Sequence, residues 1–267
     1  MKKTYYILLA LLSLILFSCE EDVVLDLGKI QKRLVVEAKV TNDSPMATVS
    51  LSYSQDFYDF PDYKLLSNGT VTLQSEDGET ETLTLNNKQV YESKSILPVT
   101  GKNYTLKVKI DDQEVEVTTN LPRPVAISSI IFVPNPFLQN NDSLIIFVNV
   151  ADPVGEDNFF RLKVNKLHAE ASNEYYLMED TFGKDGIISM PVYYKNFTYG
   201  DTVVVEVDNL NKTLYQYYST LSENINGSFN SIAPGNPVSN MPDNVYGYFG
   251  GYAIDRDTVI VTRMMPF

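Results

Sequence analysis

Cysteine, histidine and tryptophan are almost absent: the 267 residues hold one Cys, one His and no Trp, and 34 acids outnumber 21 basic side chains. A single cysteine excludes an intramolecular disulfide framework and a thiolate zinc site, so the fold must rest on buried apolar surface and strand pairing. With His168 as the only imidazole, a Ser-His-Asp triad exists only if His168 itself serves, and an ordinary hydrogen-bonded strand histidine is the simpler reading of NKLHAEA. A formal charge of −13 without a basic stripe excludes nucleic acid as a partner and disfavours anionic lipid. No helical membrane span is present either. Residues 7–17, interrupted only by Ser13, fall short of the about 20 apolar residues a spanning helix needs.

What that apolar run does fit is a signal-peptide core, preceded by Lys2 and Lys3 and followed by Leu16-Phe17-Ser18-Cys19. A large aliphatic residue three positions before a cysteine, with a small residue directly before it, resembles a bacterial lipobox. In that chemistry the Cys19 sulfur is alkylated with diacylglycerol, the chain is cut ahead of it, and the new amino terminus takes a further acyl chain such as palmitate. Two or more chains anchor stably where one does not. Glu20, Glu21 and Asp22 then look like the acidic surface-export signal of Bacteroidota-type lipoproteins. Cleavage removes two lysines and no acid, which leaves 19 basic against 34 acidic residues and a net charge of −15.

The rest of the chain reads as strands. After a tether over 19–29, LVVEAKV alternates Leu34, Val36, Ala38 and Val40 against Val35, Glu37 and Lys39, the pattern of a half-buried strand. ATVSLSY, TVTLQS, ETLTLN, KQVYESK, NYTLKVKI and EVEVTTNL follow, separated by turn clusters such as Asn68-Gly69 and Glu76-Asp77-Gly78-Glu79. About seven short strands at close spacing predict an antiparallel sandwich over 30–121. Pro122 and Pro124 stiffen the connection and mark a boundary, because proline donates no ladder hydrogen bond. Beyond it, SSIIFV, SLIIFVNV, NFFRLKVNKLH, NEYYLME, DTVVVEVDNL and a closing TVIVTRM predict a second β-rich domain over 122–267. Leu210, Leu214, Tyr217, Tyr218 and Leu221 recur at helical spacing and predict one amphipathic helix at about 209–224, with Asp208 or Asn209 as N-cap. The glycine- and proline-rich stretch after it, through VYGYFGGYAIDRD, reads as loop.

Taken together, the lipobox with its acids, the LVVEA strand, TVTLQSEDGETETL, KNYTLKVKIDDQEVEVTTNLP and PGNPVSNMPDNVYGYFGGYAID resemble a Bacteroidota outer-membrane lipoprotein family of unknown function. The resemblance covers essentially the whole mature chain. It implies a mainly β fold, an N-terminal immunoglobulin-like or transthyretin-like sandwich followed by a β-rich domain. It also implies a location at the outer membrane, exposed on the cell surface, and a TonB-dependent receptor as partner. It assigns no catalytic residue and no cofactor.

Candidate sites follow from residue chemistry. Phe57, Tyr58, Phe60 and Tyr63 crowd one loop, and Tyr246, Tyr248, Phe249 and Tyr252 crowd the glycine-rich stretch; rings left in water form a contact surface, whereas rings turned inward anchor a loop. Ser143, Thr202 and Thr258 each follow an aspartate and precede an aliphatic residue, resembling an O-glycosylation acceptor. The acids at Asp56, Asp59, Asp62, Asp152, Glu156, Asp157, Asp255 and Asp257 read as solvated loops. ADPVGEDN lacks the EF-hand spacing for calcium, and no other metal motif occurs. The function expected from all this is a binding or accessory lipoprotein rather than an enzyme. A surface hydrolase of glycans or peptides and a purely structural or adhesive envelope module are the rivals.

Overall fold

Period-2 alternation decides which side of each strand enters a core. The computed structural model describes residues 31–55, 64–138, 143–151, 155, 157–169, 174–180, 186–226 and 235–262. The first half runs β1 (Leu34–Thr41), β2 (Ala47–Tyr53), β3 (Thr70–Ser75), β4 (Thr80–Thr82), β5 (Thr84–Leu85), β6 (Tyr91–Glu92), β7 (Asn103–Ile110) and β8 (Gln113–Asn120). The second runs β9 (Ile127–Pro134), β10 (Leu144–Ala151), β11 (Phe159–Lys166), β12 (Tyr176–Glu179), β13 (Ile187–Phe197), β14 (Thr202–Leu210), α1 (Lys212–Asn226) and β15 (Val245–Ile260).

The strands form one sheet of eight, ordered β12-β11-β14-β15-β1-β2-β6-β5, and two counter-sheets, β4-β3-β7-β8 and β13-β10-β9. Among the described residues every strand pairing is antiparallel except that of β1 with β15, which run parallel from Leu34 opposite Val245 to Thr41 opposite Tyr252. In the first half, the order β5-β6-β2-β1 facing β4-β3-β7-β8 is the immunoglobulin arrangement, with successive strands crossing between two sheets. The second half repeats it: β9, β10 and β13 face β12-β11-β14-β15. The chain is therefore mainly β, as its alternation predicts, with two sandwiches built on a shared sheet.

Two cores lie between the shared sheet and its counter-sheets. One gathers Leu34, Val36, Leu51, Leu73, Tyr104 and Leu106, and also Val245, Phe249 and Ala253 from the far end of the sequence. The other gathers Ile146, Val148, Phe160, Val164, Val192 and Val205. Strand β15 serves both, lending Phe249 to the first and, near its end, Val259 to the second. Strands on either side of Pro122 thus share one sheet, and residues 32–267 form one compact unit.

Four expectations need correction. The expected strand ETLTLN is split at the buried Leu83, where the chain leaves the counter-sheet at β4 and enters the eight-stranded sheet at β5. The glycine-rich VYGYFGGYAIDRD, expected as loop, is the first thirteen residues of the long strand β15. Its glycines mark crowding: a Cβ on Gly251 would lie 2.0 Å from the Asn120 carbonyl oxygen, and one on Gly247, with φ +103, equally close to that of Val36. The helix begins at Lys212 rather than 209, because Asp208, Asn209 and Leu210 are still paired within β14. Its N-cap is Asn211, whose Oδ1 accepts the Leu214 N–H at 3.0 Å. Finally, IISMPVYYKNF, where no strand was expected, forms β13; its Pro191 is accommodated because β13 is an edge strand.

One carboxylate pins the turn beyond β6. Glu81 accepts backbone N–H groups from Lys94 at 2.6 Å, Ser95 at 3.1 Å and Ile96 at 2.8 Å, and the Ser93 hydroxyl at 3.0 Å. Partial burial acts to raise its pKa, but these donors win and hold it at about 2, against an ordinary 4.5. Glu81→Gln is expected to cost about 2 kcal/mol near neutral pH, because hydrogen bonds to a charged acceptor exceed those to an amide. A depressed folded pKa contributes stability that is present above the ordinary value and lost as pH falls toward the folded one. Urea unfolding between pH 5 and pH 2 should therefore be less steeply acid-sensitive in the variant than in the parent.

Candidate functional site

The face of the eight-stranded sheet turned away from the two cores carries the polar chemistry. Inward positions on β1 force Glu37 and Lys39 outward, and the ladders place Ser50 of β2 opposite Glu37, Thr48 opposite Lys39, and Glu92 of β6 opposite Thr48. Across the parallel pairing, Glu37 lies beside Tyr248 and Lys39 beside Gly250. Helix α1 covers part of the same face, seating Leu214 and Tyr218 against Leu210, Tyr252 and the half-buried Tyr248. A basin of about 490 Å³ remains between them, lined from the first sandwich by Glu37, Lys39 and Glu92 and from the second by Arg161, Tyr218 and Tyr248, among others. Both halves of the chain thus contribute to its wall.

Arg161 is the charged centre of the basin floor. It is 7% exposed, and its Nε and Nη2 both lie 2.7 Å from Oδ2 of Asp208, which is fully buried. The guanidinium also lies over the rings of Tyr252 at 4.9 Å, Tyr218 at 5.0 Å and Tyr175 at 5.9 Å. Lys163 adds a second cation 3.1 Å from Asp208 and bonds Glu206, which Arg256 also holds. Burial works to raise Glu206, yet these two cations keep it at about 2. Burial and the neighbouring Tyr218 push the Tyr248 hydroxyl well above its ordinary range, so it stays a neutral hydrogen-bonding group, 3.4 Å from the Tyr218 hydroxyl. Arg161–Asp208 was not foreseen from sequence; its signal was the alternation of Arg161 and Lys163 on one strand and Glu206 and Asp208 on another.

A second concavity, about 410 Å³, opens at the seam where the linker after β8 passes the end of β14. Its wall is rich in amides. Asn209 donates to the Arg123 carbonyl at 2.9 Å and to Asn158 Oδ1 at 3.2 Å. Asn211 donates to Thr119 Oγ1 at 2.6 Å and to the Asn120 carbonyl at 3.1 Å.

The residues singled out from sequence divide as follows. Cys19, Glu20, Glu21 and Asp22 lie outside the described residues, as do Phe57, Tyr58, Phe60 and Tyr63. The second aromatic group is dispersed by strand alternation: Phe249, at 1% exposure, belongs to the first core and is no contact residue. Tyr248 and Tyr252 line the basin, while Tyr246 receives the Arg33 guanidinium at 5.0 Å. Ser143 is 7% exposed, its hydroxyl buried without a partner, so it is no accessible acceptor in the folded chain; Thr258 is exposed and Thr202 half-buried. His168, expected in a strand, sits in the exposed turn after β11 with φ +66. Among the described residues no group of three or more His, Cys, Asp or Glu is placed to hold a metal ion, and no helix is long and apolar enough to cross a membrane.

The fold and the basin together define a protein of two immunoglobulin-type sandwiches sharing one sheet. Residues 20–258 match the family described as Domain of unknown function (DUF4249), and the chain belongs to that family. No curated protein matches it. Among solved structures it is similar to a two fibronectin type-III domain segment of chicken tenascin, at 10% identity over 87% of this chain and 100% of that one, with a TM-score of 0.24. It is also similar to the chicken interferon gamma receptor alpha chain, at 9% identity over 88% and 100% of the two chains, with a TM-score of 0.25. At these scores the fold assignment rests on strand order instead.

Proposed function

We propose that this chain is a lipoprotein of the bacterial outer membrane, anchored through lipid on Cys19, that serves as accessory or ligand-binding partner of a TonB-dependent receptor. The observation that carries the binding part of the reading is the basin. It is a concave surface to which both sandwiches contribute, with phenol rings, ammonium groups and carboxylates side by side, the mixture that recognition sites use to orient a bound group. The anchoring part is supported by Lys2 and Lys3, the apolar run over 7–17, the LFSC stretch and the acids Glu20, Glu21 and Asp22. A rival hydrolase reading needs His168 or a close pair of carboxyl groups in the pocket; His168 is not among the basin-lining residues, whereas Glu37 and Glu92 are.

Purification from detergent-solubilised membranes tests the proposal. The full chain is expected to bring down an outer-membrane β-barrel receptor in near-stoichiometric amount, and Cys19→Ala to move the protein out of the membrane fraction. A clean monomer in both preparations, or an unlipidated Cys19 by mass spectrometry, would overturn it.

A further inference from the structure

The sheet edges differ in how well they are closed to another strand. An edge presents backbone N–H and C=O groups whose complement is a further strand, and short length, charge or proline usually blunts it. Among the described residues the edges are β4, β5, β8, β9, β12 and β13. Of these, β4, β5 and β12 have four residues or fewer. Strand β8 turns the exposed Glu114 and Glu116 outward, and β13 carries Pro191 and Lys195. Strand β9, ISSIIFVP, has eight residues, no charge, and proline only at its last position. Asp255 takes the Ile127 N–H at 2.7 Å, but among the described residues the backbone of 128–133 pairs with β10 alone. That leaves an open ladder about 20 Å long. The core is open there too, for Ile130 and Phe132 are half-buried while their ladder partners Val148 and Ile146 are fully buried. On the other face of the strand, Ile131 is 39% exposed opposite Phe147.

The missing charge decides what this edge fits. A foreign strand can carry acids or bases matched to those of an edge, so an edge built for one has no need to be neutral. A strand that pairs with its own copy, antiparallel about a twofold axis, sets its charges against identical ones, and neutrality removes that repulsion. We propose that β9 is a homodimer interface, at which two copies pair β9 with β9 and make one continuous six-stranded sheet, β13-β10-β9-β9-β10-β13, that covers Ile130, Ile131 and Phe132. The interface uses neither the basin nor lipid on Cys19, so it stands or falls apart from the reading above.

Sedimentation of the full chain in detergent is expected to show a monomer–dimer equilibrium with Kd of roughly 1–100 μM, the weak association that a small interface supports. Hydrogen exchange, which needs no variant, should slow at the β9 amides and not at those of β8 as chain concentration rises. Added salt should tighten the dimer, because two net-acidic chains repel. Ser129→Lys and Ile131→Lys, both at exposed positions, should each weaken it by about tenfold or more, since the twofold axis brings ammonium toward ammonium. Ile225→Lys, at a position 73% exposed on α1, should leave it unchanged. The proposal is overturned by a monomer across this range, including one whose β9 amides slow only in a receptor complex. A dimer that both β9 variants leave intact, or that salt dissociates, overturns it as well.

Discussion

Replacing Arg161 by methionine is expected to lower unfolding free energy by roughly 3–5 kcal/mol, the cost of leaving a buried charge without its main partner. Asp208 is fully buried, both Arg161 contacts converge on its Oδ2, and its Oδ1 has no partner. Burial pushes the Asp208 carboxyl up even with Arg161 and Lys163 beside it, whereas Arg161 is held above its ordinary value because Asp208 outweighs its own desolvation. The upward direction for Asp208 is the decisive one, since a carboxylate with one bonded oxygen is under-compensated. Without Arg161 it rises further. An acid whose folded pKa lies above its unfolded value contributes stability below the unfolded pKa and loses it as pH rises through the folded one. The deficit of Arg161→Met should therefore shrink as pH falls from 7 toward 4 in urea unfolding. Arg161→Met/Asp208→Leu should recover all but about 1 kcal/mol, because removing both charges also removes the desolvation penalty. A single variant within about 1 kcal/mol of the parent would mean that the three tyrosine rings, not the ion pair, hold this part of the sheet.

The same pair shows why the site was hard to read from sequence. Arg161, Lys163, Glu206 and Asp208 alternate in plain view, but only the ladder between β11 and β14 places Arg161 opposite Asp208, and no local pattern reports which strands are neighbours. Strands whose alternation is clean were legible almost to the residue, as in LVVEAKV, TVTLQS and NYTLKVKI. The errors came where a residue has two physical uses. Glycine signals a turn, but in GYFGGY it permits close approach of Val36 and Asn120 to β15. Proline ends a strand in most places, but at Pro191 it sits in an edge strand. Asparagine at 209 and at 211 caps equally well in sequence; only the length of β14 decides between them.

The crossing beneath β8 gives the second large effect. A methyl group on Gly251 would meet the Asn120 carbonyl oxygen at 2.0 Å, its carbon at 2.8 Å and Leu121 Cα at 3.1 Å, all backbone atoms that cannot swing aside as a side chain can. The crowding propagates, because the Gly251 carbonyl accepts the Asn211 N–H at 2.9 Å and the Asn211 amide holds the Asn120 carbonyl, so any retreat of β15 disturbs the helix N-cap and the end of β8 together. Gly251→Ala is accordingly expected to cost about 3 kcal/mol, at the upper end of overpacking penalties, which for a chain of this size lowers Tm by about 6–12 °C. Gly235→Ala is the matched control, since nothing lies within 4 Å of its added Cβ, and it should stay within about 0.5 kcal/mol of the parent. Because β15 carries residues of both cores, calorimetry should show the Gly251 loss in the whole transition rather than in one half of it. A variant in which only part of the unfolding enthalpy moves to lower temperature would show that the two sandwiches melt independently, and that the shared strand does not couple them.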